Sequence, residues 1–124
     1  MLARLRAYSL VVTQNTTLFL DADSLVIQKL KLPDFNKFIA CLVKRDDETS
    51  IISHNYPEYY PEFVNQKFID IMPIFFGLII TPDGGKLFNG LFEIALKLPE
   101  RFHRWYGDQM VIAEEYKKNK EKYW

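Results

Sequence analysis

Residues 17–28 read TLFLDADSLVIQ, so Asp21 and Asp23 stand between two apolar runs, LFL before them and LVI after. Burying such a pair is costly, because desolvation and mutual repulsion both disfavour it unless a cation or a proton lies between the two groups. The pair therefore belongs at the end of a strand, at the edge of a sheet. In extended chain, residues two apart project from one face, which aims Asp21 and Asp23 together and the small Ala22 to the other side. Converging carboxylates of this kind suit Mg2+ or Mn2+, which takes oxygen from one or two carboxylates and completes its shell with substrate phosphates and water. The competing reading is a turn whose aspartates cap backbone amides. A three-residue pattern does not separate the two by itself, and the apolar flanks favour the first.

At 124 residues the chain has room for one domain, 1–124, with one core. Lys plus Arg and Asp plus Glu both number 16, so bulk charge predicts neither a nucleic acid nor an anionic membrane as partner. Cys41 is the only cysteine, which excludes an internal disulfide and fits a small buried hydrophobe in a reduced, cytoplasmic setting. Arg4 and Arg6 precede an apolar stretch too broken to be a signal peptide. The longest apolar run, residues 71–80, contains Pro73 and falls short of the ~20 residues of a membrane-spanning helix, so no transmembrane segment is expected.

Helical and strand patterns alternate along the chain, which predicts an α/β fold. Leu2, Leu5, Tyr8 and Val12 recur at helical spacing and predict a helix over residues 2–13, ended by Asn15. Residues 17–20 are the strand that delivers the aspartates, with 24–27 extended or turning. The apolar run 35–43 fits helix and strand equally. Residues 46–66 are charged and then rich in Tyr, Pro and Asn, the composition of a long excursion. A second strand is expected over 73–81, followed by a PDGG turn. Leu87, Leu91, Ile94 and Leu98 mark a helix that Pro99 ends, and a last helix opens at Gly107–Asp108 with Asp108 as a favoured N-cap.

Taken together, LARLRAYSL, TLFLDADSLV, PIFFGLIIT, LFNGLFEIALKL and RWYGDQMVIAEEY resemble, in order and spacing, the blocks of glycogenin-type and lipopolysaccharide-type sugar transferases. The resemblance covers nearly the whole chain. It implies part of a GT-A-like nucleotide-diphospho-sugar transferase, an α/β sandwich around a mixed sheet, comprising the D-x-D and acceptor-side half. It also implies roles: Asp21 and Asp23 as ligands of Mn2+ or Mg2+, and Arg4 near the donor phosphates or sugar. Gly77 would stand where backbone approaches the ligand. Asp108 and Gln109 would lie beside the transferred sugar. The implied partners are a nucleotide-sugar donor of the UDP type and a carbohydrate, glycoprotein or glycolipid acceptor. Phe75 and Phe76 replace an Asn and a small residue of the family pattern, and the family's late metal-binding His has no counterpart. The strands that bind base and ribose in the family precede the basic helix, so this chain is expected to be a fragment of a longer transferase or to need a partner chain or a second copy at its open sheet edge.

Two other readings use the same residues. Haloacid-dehalogenase-like phosphatases place a nucleophilic Asp and a general-acid Asp at the end of an apolar strand, which would make Asp21 the nucleophile, Asp23 the acid and Thr81 a phosphate ligand. A non-catalytic remnant or interaction subunit would keep the fold without the chemistry. His54 and His103 read as ordinary loop or packing histidines. Tyr56, Tyr59 and Tyr60 suit either an acceptor-stacking platform or packing of the loop onto the body, and packing is favoured.

Overall fold

A computed structural model describes residues 1–11, 15–46, 48, 60–104 and 106–124. Among these residues, four α-helices and three strands follow one another as α1 (Leu2–Ser9), β1 (Thr17–Leu20), β2 (Cys41–Lys44), α2 (Phe68–Ile71), β3 (Ile74–Thr81), α3 (Gly84–Lys97) and α4 (Gly107–Lys118). Short 3-10 turns occupy Pro61–Phe63, Glu100–His103 and Lys120–Lys122. The α/β class is as expected. The sheet has the order β1-β3-β2 and is antiparallel in all three strands. The mixed character expected of it is confined, among the described residues, to one parallel bridge, Ala40 to Tyr123. There the C-terminal residues run along β2, with Leu42 N–H donating to the Trp124 carbonyl and Trp124 N–H to that of Ala40.

The central strand is β3, and its apolar run explains why: a strand flanked on both sides needs no polar face. Phe19 pairs with Ile79 and Leu42 also faces Ile79, which sets those three on the helix-covered side. Between Leu42 and Val43 the partner on β3 jumps from Ile79 to Phe75, so β3 bulges around Gly77. The bulge changes which side alternate residues face and lets Phe76 and Ile79 both join the core. Leu5 of α1, Phe88 and Leu91 of α3, and Val111 and Ile112 of α4 close that core over one face of the sheet. Tyr8, Phe19 and Phe88 meet there as a ring cluster at 4.6–5.0 Å between centroids.

The other face is less covered. Leu18 and Val43 are partly open, and the irregular segment beside them exposes Leu25 and Ile27 at 83% and 84%. β1 is an edge strand, hydrogen-bonded to β3 alone among the described strands. No helix among the described residues is long and apolar enough to cross a membrane.

Helix boundaries follow local chemistry. α1 ends at Ser9, earlier than the apolar spacing predicts. The Ser9 hydroxyl donates back to the Arg6 carbonyl at 2.7 Å, and Leu10 and Val11 tighten into three-residue turns on Ala7 and Tyr8. The PDGG stretch proves to be a helix start: Asp83 caps α3 by accepting from Lys86 N–H at 2.9 Å, and both glycines lie in the first turn. α3 stops where expected, with Leu98 extended as a residue before proline must be. The 35–43 run splits into a turn at 35–37 and strand β2.

Most of the 46–66 excursion, with His54, Tyr56 and Tyr59, lies outside the described residues. Tyr60 is 4% exposed and stacks on Phe63 and Phe102, so it packs the loop rather than offering a platform. His103 contacts the Ala95 carbonyl at 2.8 Å, a packing role. Cys41 is a buried free thiol, and that burial pushes its pKa up.

Candidate functional site

The carboxylate pair of the opening motif does not share a strand. β1 ends at Leu20; Asp21 keeps one more sheet bond, its N–H donating to the Gly77 carbonyl at 2.9 Å, and Ser24 N–H then closes a turn on the Asp21 carbonyl at 3.0 Å. Strand alternation therefore does not apply to Asp23. The turn nevertheless leaves both aspartates on the wall of one cleft of about 730 Å3.

That cleft is lined by Arg4, Asp21, Ala22, Asp23, Phe75, Arg104, Tyr106, Asp108 and Gln109, with Met1 at its margin. Four separate segments thus converge: α1, the end of β1, the start of β3, and the approach to and first turn of α4. Arg4 links three of them. Its guanidinium hydrogen-bonds to Asp21 and, at 3.0 Å, to Asp108. The Phe76 ring lies 4.8 Å beneath it and the Tyr8 hydroxyl accepts from its Nε at 3.4 Å. Burial pulls the Arg4 pKa down, but Tyr8 and the charges of Asp108 and Asp21 outweigh it and leave the pKa above its ordinary value. Arg4 is a permanent cation.

Gly77 does not line the cleft, but it makes the position of Asp21 possible. A Cβ built at residue 77 would stand 2.7 Å from Asp21 Oδ2 and would run into the Phe75 ring. Only a residue without a side chain allows the aspartate to lie so close over β3.

The start of α4 differs from the expected cap. Tyr106, not Asp108, is the N-cap, and it takes a left-handed conformation at φ 65°. Gly107 follows because a Cβ there would strike the Phe102 carbonyl oxygen. Asp108 is thereby moved into the first turn, where it faces Arg4 while its Oδ1 accepts from Gln109 N–H at 2.9 Å. An acidic residue in that turn is also favoured by the helix dipole.

Two features in or behind the cleft escape reading from the chain alone. Arg45, just past β2, hydrogen-bonds to the Gln109 side-chain oxygen and donates its Nε to the Met72 carbonyl at 3.3 Å. Arg104 brings a second cation to the lining. The only signal for Arg45 is a cation directly after an apolar strand, a pattern too common to be informative.

For a divalent ion the donor set is two aspartates in one cleft, one held by Arg4 and the other, Asp23, exposed and without a side-chain partner among the described residues. No group of three or more His, Cys, Asp or Glu suited to a metal occurs among the described residues. Two carboxylates fit a hard cation only when the ligand's own phosphate oxygens and water complete the shell. A second hollow of about 310 Å3, between the 35–39 turn, α3 and Tyr123, is lined mainly by apolar side chains and lies apart from these groups.

No protein-family model, curated protein or solved structure matches this chain.

Proposed function

We propose that this chain is the metal- and sugar-binding half of a nucleotide-sugar transferase, which moves a sugar from a UDP-type donor to a carbohydrate-class acceptor with Mn2+ or Mg2+. The observation that supports the reading is the meeting of Arg4, Asp21, Asp23, Asp108 and Gln109 around one cleft, from positions up to 105 apart in the chain. Each group has a task. Asp21 and Asp23 are the residues that would hold the ion, which when bound offsets the charge of the departing diphosphate. Arg4 exchanges its carboxylate partners for phosphate oxygen, a geometry that guanidinium serves well. Asp108 accepts from, and Gln109 bonds to, the hydroxyls of the sugar that is passed on.

One experiment separates this role from a purely structural one. In Asp108→Asn the amide oxygen can still accept from Gln109 N–H, so the melting temperature is expected to stay within a few degrees. Hydrolysis of UDP-glucose to free glucose in the presence of Mn2+ is expected to fall at least tenfold, because the charge facing Arg4 and the sugar is gone. Unchanged turnover in the folded variant contradicts the proposal.

A second reading, a non-catalytic interaction subunit, is favoured by one observation: Asp21, Arg4 and Asp108 satisfy one another without a ligand. The phosphatase reading has no such support. Thr81 pairs with Thr17 at the far end of β1, roughly 13 Å along the strand from Asp21. Its hydroxyl is already engaged with the Ile39 carbonyl at 2.8 Å and Asp83 N–H at 3.2 Å.

A further inference from the structure

A glutamine in a binding cleft can act in two senses, since its carbonyl accepts and its NH2 donates. For Gln109 the choice is made by Arg45. A guanidinium carries donors only, so the Gln109 atom that meets it is Oε1, and the amide orientation follows from the hydrogen bond. Arg45 is itself held from several sides. Its backbone N–H donates to the Pro73 carbonyl at 2.7 Å, and its Nε reaches the Met72 carbonyl. The Phe68 ring lies 4.7 Å and the Phe75 ring 5.5 Å from the guanidinium carbon. With Oε1 engaged, the Gln109 NH2 has no partner among the described residues, and Gln109 lines the cleft.

We propose that Arg45 is a positioning residue that fixes Gln109 as a hydrogen-bond donor toward an oxygen acceptor of the ligand, a hydroxyl or a phosphate oxygen. The identity of that ligand rests on the transferase reading above; the Arg45–Gln109 lock does not. It follows that the Gln109 carbonyl is not free to accept a proton from the ligand or to attack it, and that a ligand offering only a donor at this point is rejected.

The test is Gln109→Glu, which keeps the shape, pairs a carboxylate with Arg45 and removes the donor. The melting temperature is expected to rise by a few degrees, and to show no rise when Gln109→Glu is made in an Arg45→Met background. UDP-glucose with Mn2+, followed by calorimetry, is expected to bind Gln109→Glu at least tenfold more weakly than wild type. Arg45→Lys, which retains a donor for Oε1, is expected to recover part of the affinity that Arg45→Met loses. An equal effect of Gln109→Glu on melting temperature in both backgrounds overturns the lock. Full UDP-glucose affinity in Gln109→Glu overturns the donor role. If wild type binds no UDP-glucose while the melting temperatures behave as expected, the lock is upheld and the transferase reading is what fails.

Discussion

Arg4 of α1 and Asp108 of α4, 104 positions apart, meet in an ion pair of 3.0 Å, and the same guanidinium reaches Asp21 at the end of β1. Arg4 and Asp21 are both about one-third exposed, so their pairing contributes on the order of 1 kcal/mol or less to stability. Its larger effect is on the charge of the cleft, where two arginines face three aspartates among the described residues.

Arg4→Met leaves Asp21, Asp23 and Asp108 with Arg104 as the only arginine of the lining. Mn2+ alone, without nucleotide, is then expected to raise the melting temperature of the variant, whereas in wild type Arg4 already occupies Asp21 and Mn2+ alone changes little. A thermal-shift titration with MnCl2 on both proteins checks this. Identical responses would mean that the aspartates do not converge.

Gly77→Ala forces a carbon to within 2.7 Å of the present Asp21 oxygen and into the Phe75 ring. The cost is expected to be about 1–3 kcal/mol in urea unfolding, the usual range for overpacking. Because the turn carrying Asp21 must shift, the variant is also expected to lose the metal and nucleotide response out of proportion to its stability. A silent substitution would show that Asp21 lies elsewhere.

Tyr123 is buried, its hydroxyl donates to Glu115 at 3.1 Å, and burial first, then the Glu115 charge, push its pKa well above the ordinary value. The folded protein therefore holds this proton more tightly than the unfolded chain does, so stability is full below the unfolded pKa of about 10 and falls as pH rises above it. Tyr123→Phe is expected to lose about 1 kcal/mol near neutrality, from the deleted hydrogen bond, and to lack part of the alkaline decline. Urea melts from pH 8 to about 11 compare the two slopes. Parallel slopes would contradict the assignment.

Much of the fold is legible because its signals are local. The apolar run of β3, the stripe of α3 with Pro99 behind it, and Gly107 opening α4 each act on neighbouring backbone, and each element appears where its residues point. The misreadings have local causes of another kind. Ser9 bonding back to Arg6 shortens α1, Asp83 turns an apparent PDGG loop into a cap, and the Ser24 N–H to Asp21 bond bends the chain before Asp23 can continue the strand. Hydrophobic periodicity reports none of these.

The site divides in the same way. Asp21, Asp23, Asp108, Gln109 and Arg4 stand out in the chain through motif resemblance, and the cleft brings all five together. Arg45 does not stand out, because its part depends on Gln109, Phe68 and Phe75 meeting in space from positions up to 64 apart. The parallel run of the C-terminal residues along β2 is equally silent in sequence.

The measurement that bears most directly on the transferase reading is the melting temperature of wild type and Asp23→Ala with Mn2+, with UDP, and with both. Asp23 is exposed and has no side-chain partner among the described residues, so its removal leaves the fold intact. The account predicts that wild type is stabilised by several degrees only when ion and nucleotide are present together, and that Asp23→Ala melts like unliganded wild type under every condition. No joint stabilisation of wild type, or the same stabilisation in Asp23→Ala, would contradict it.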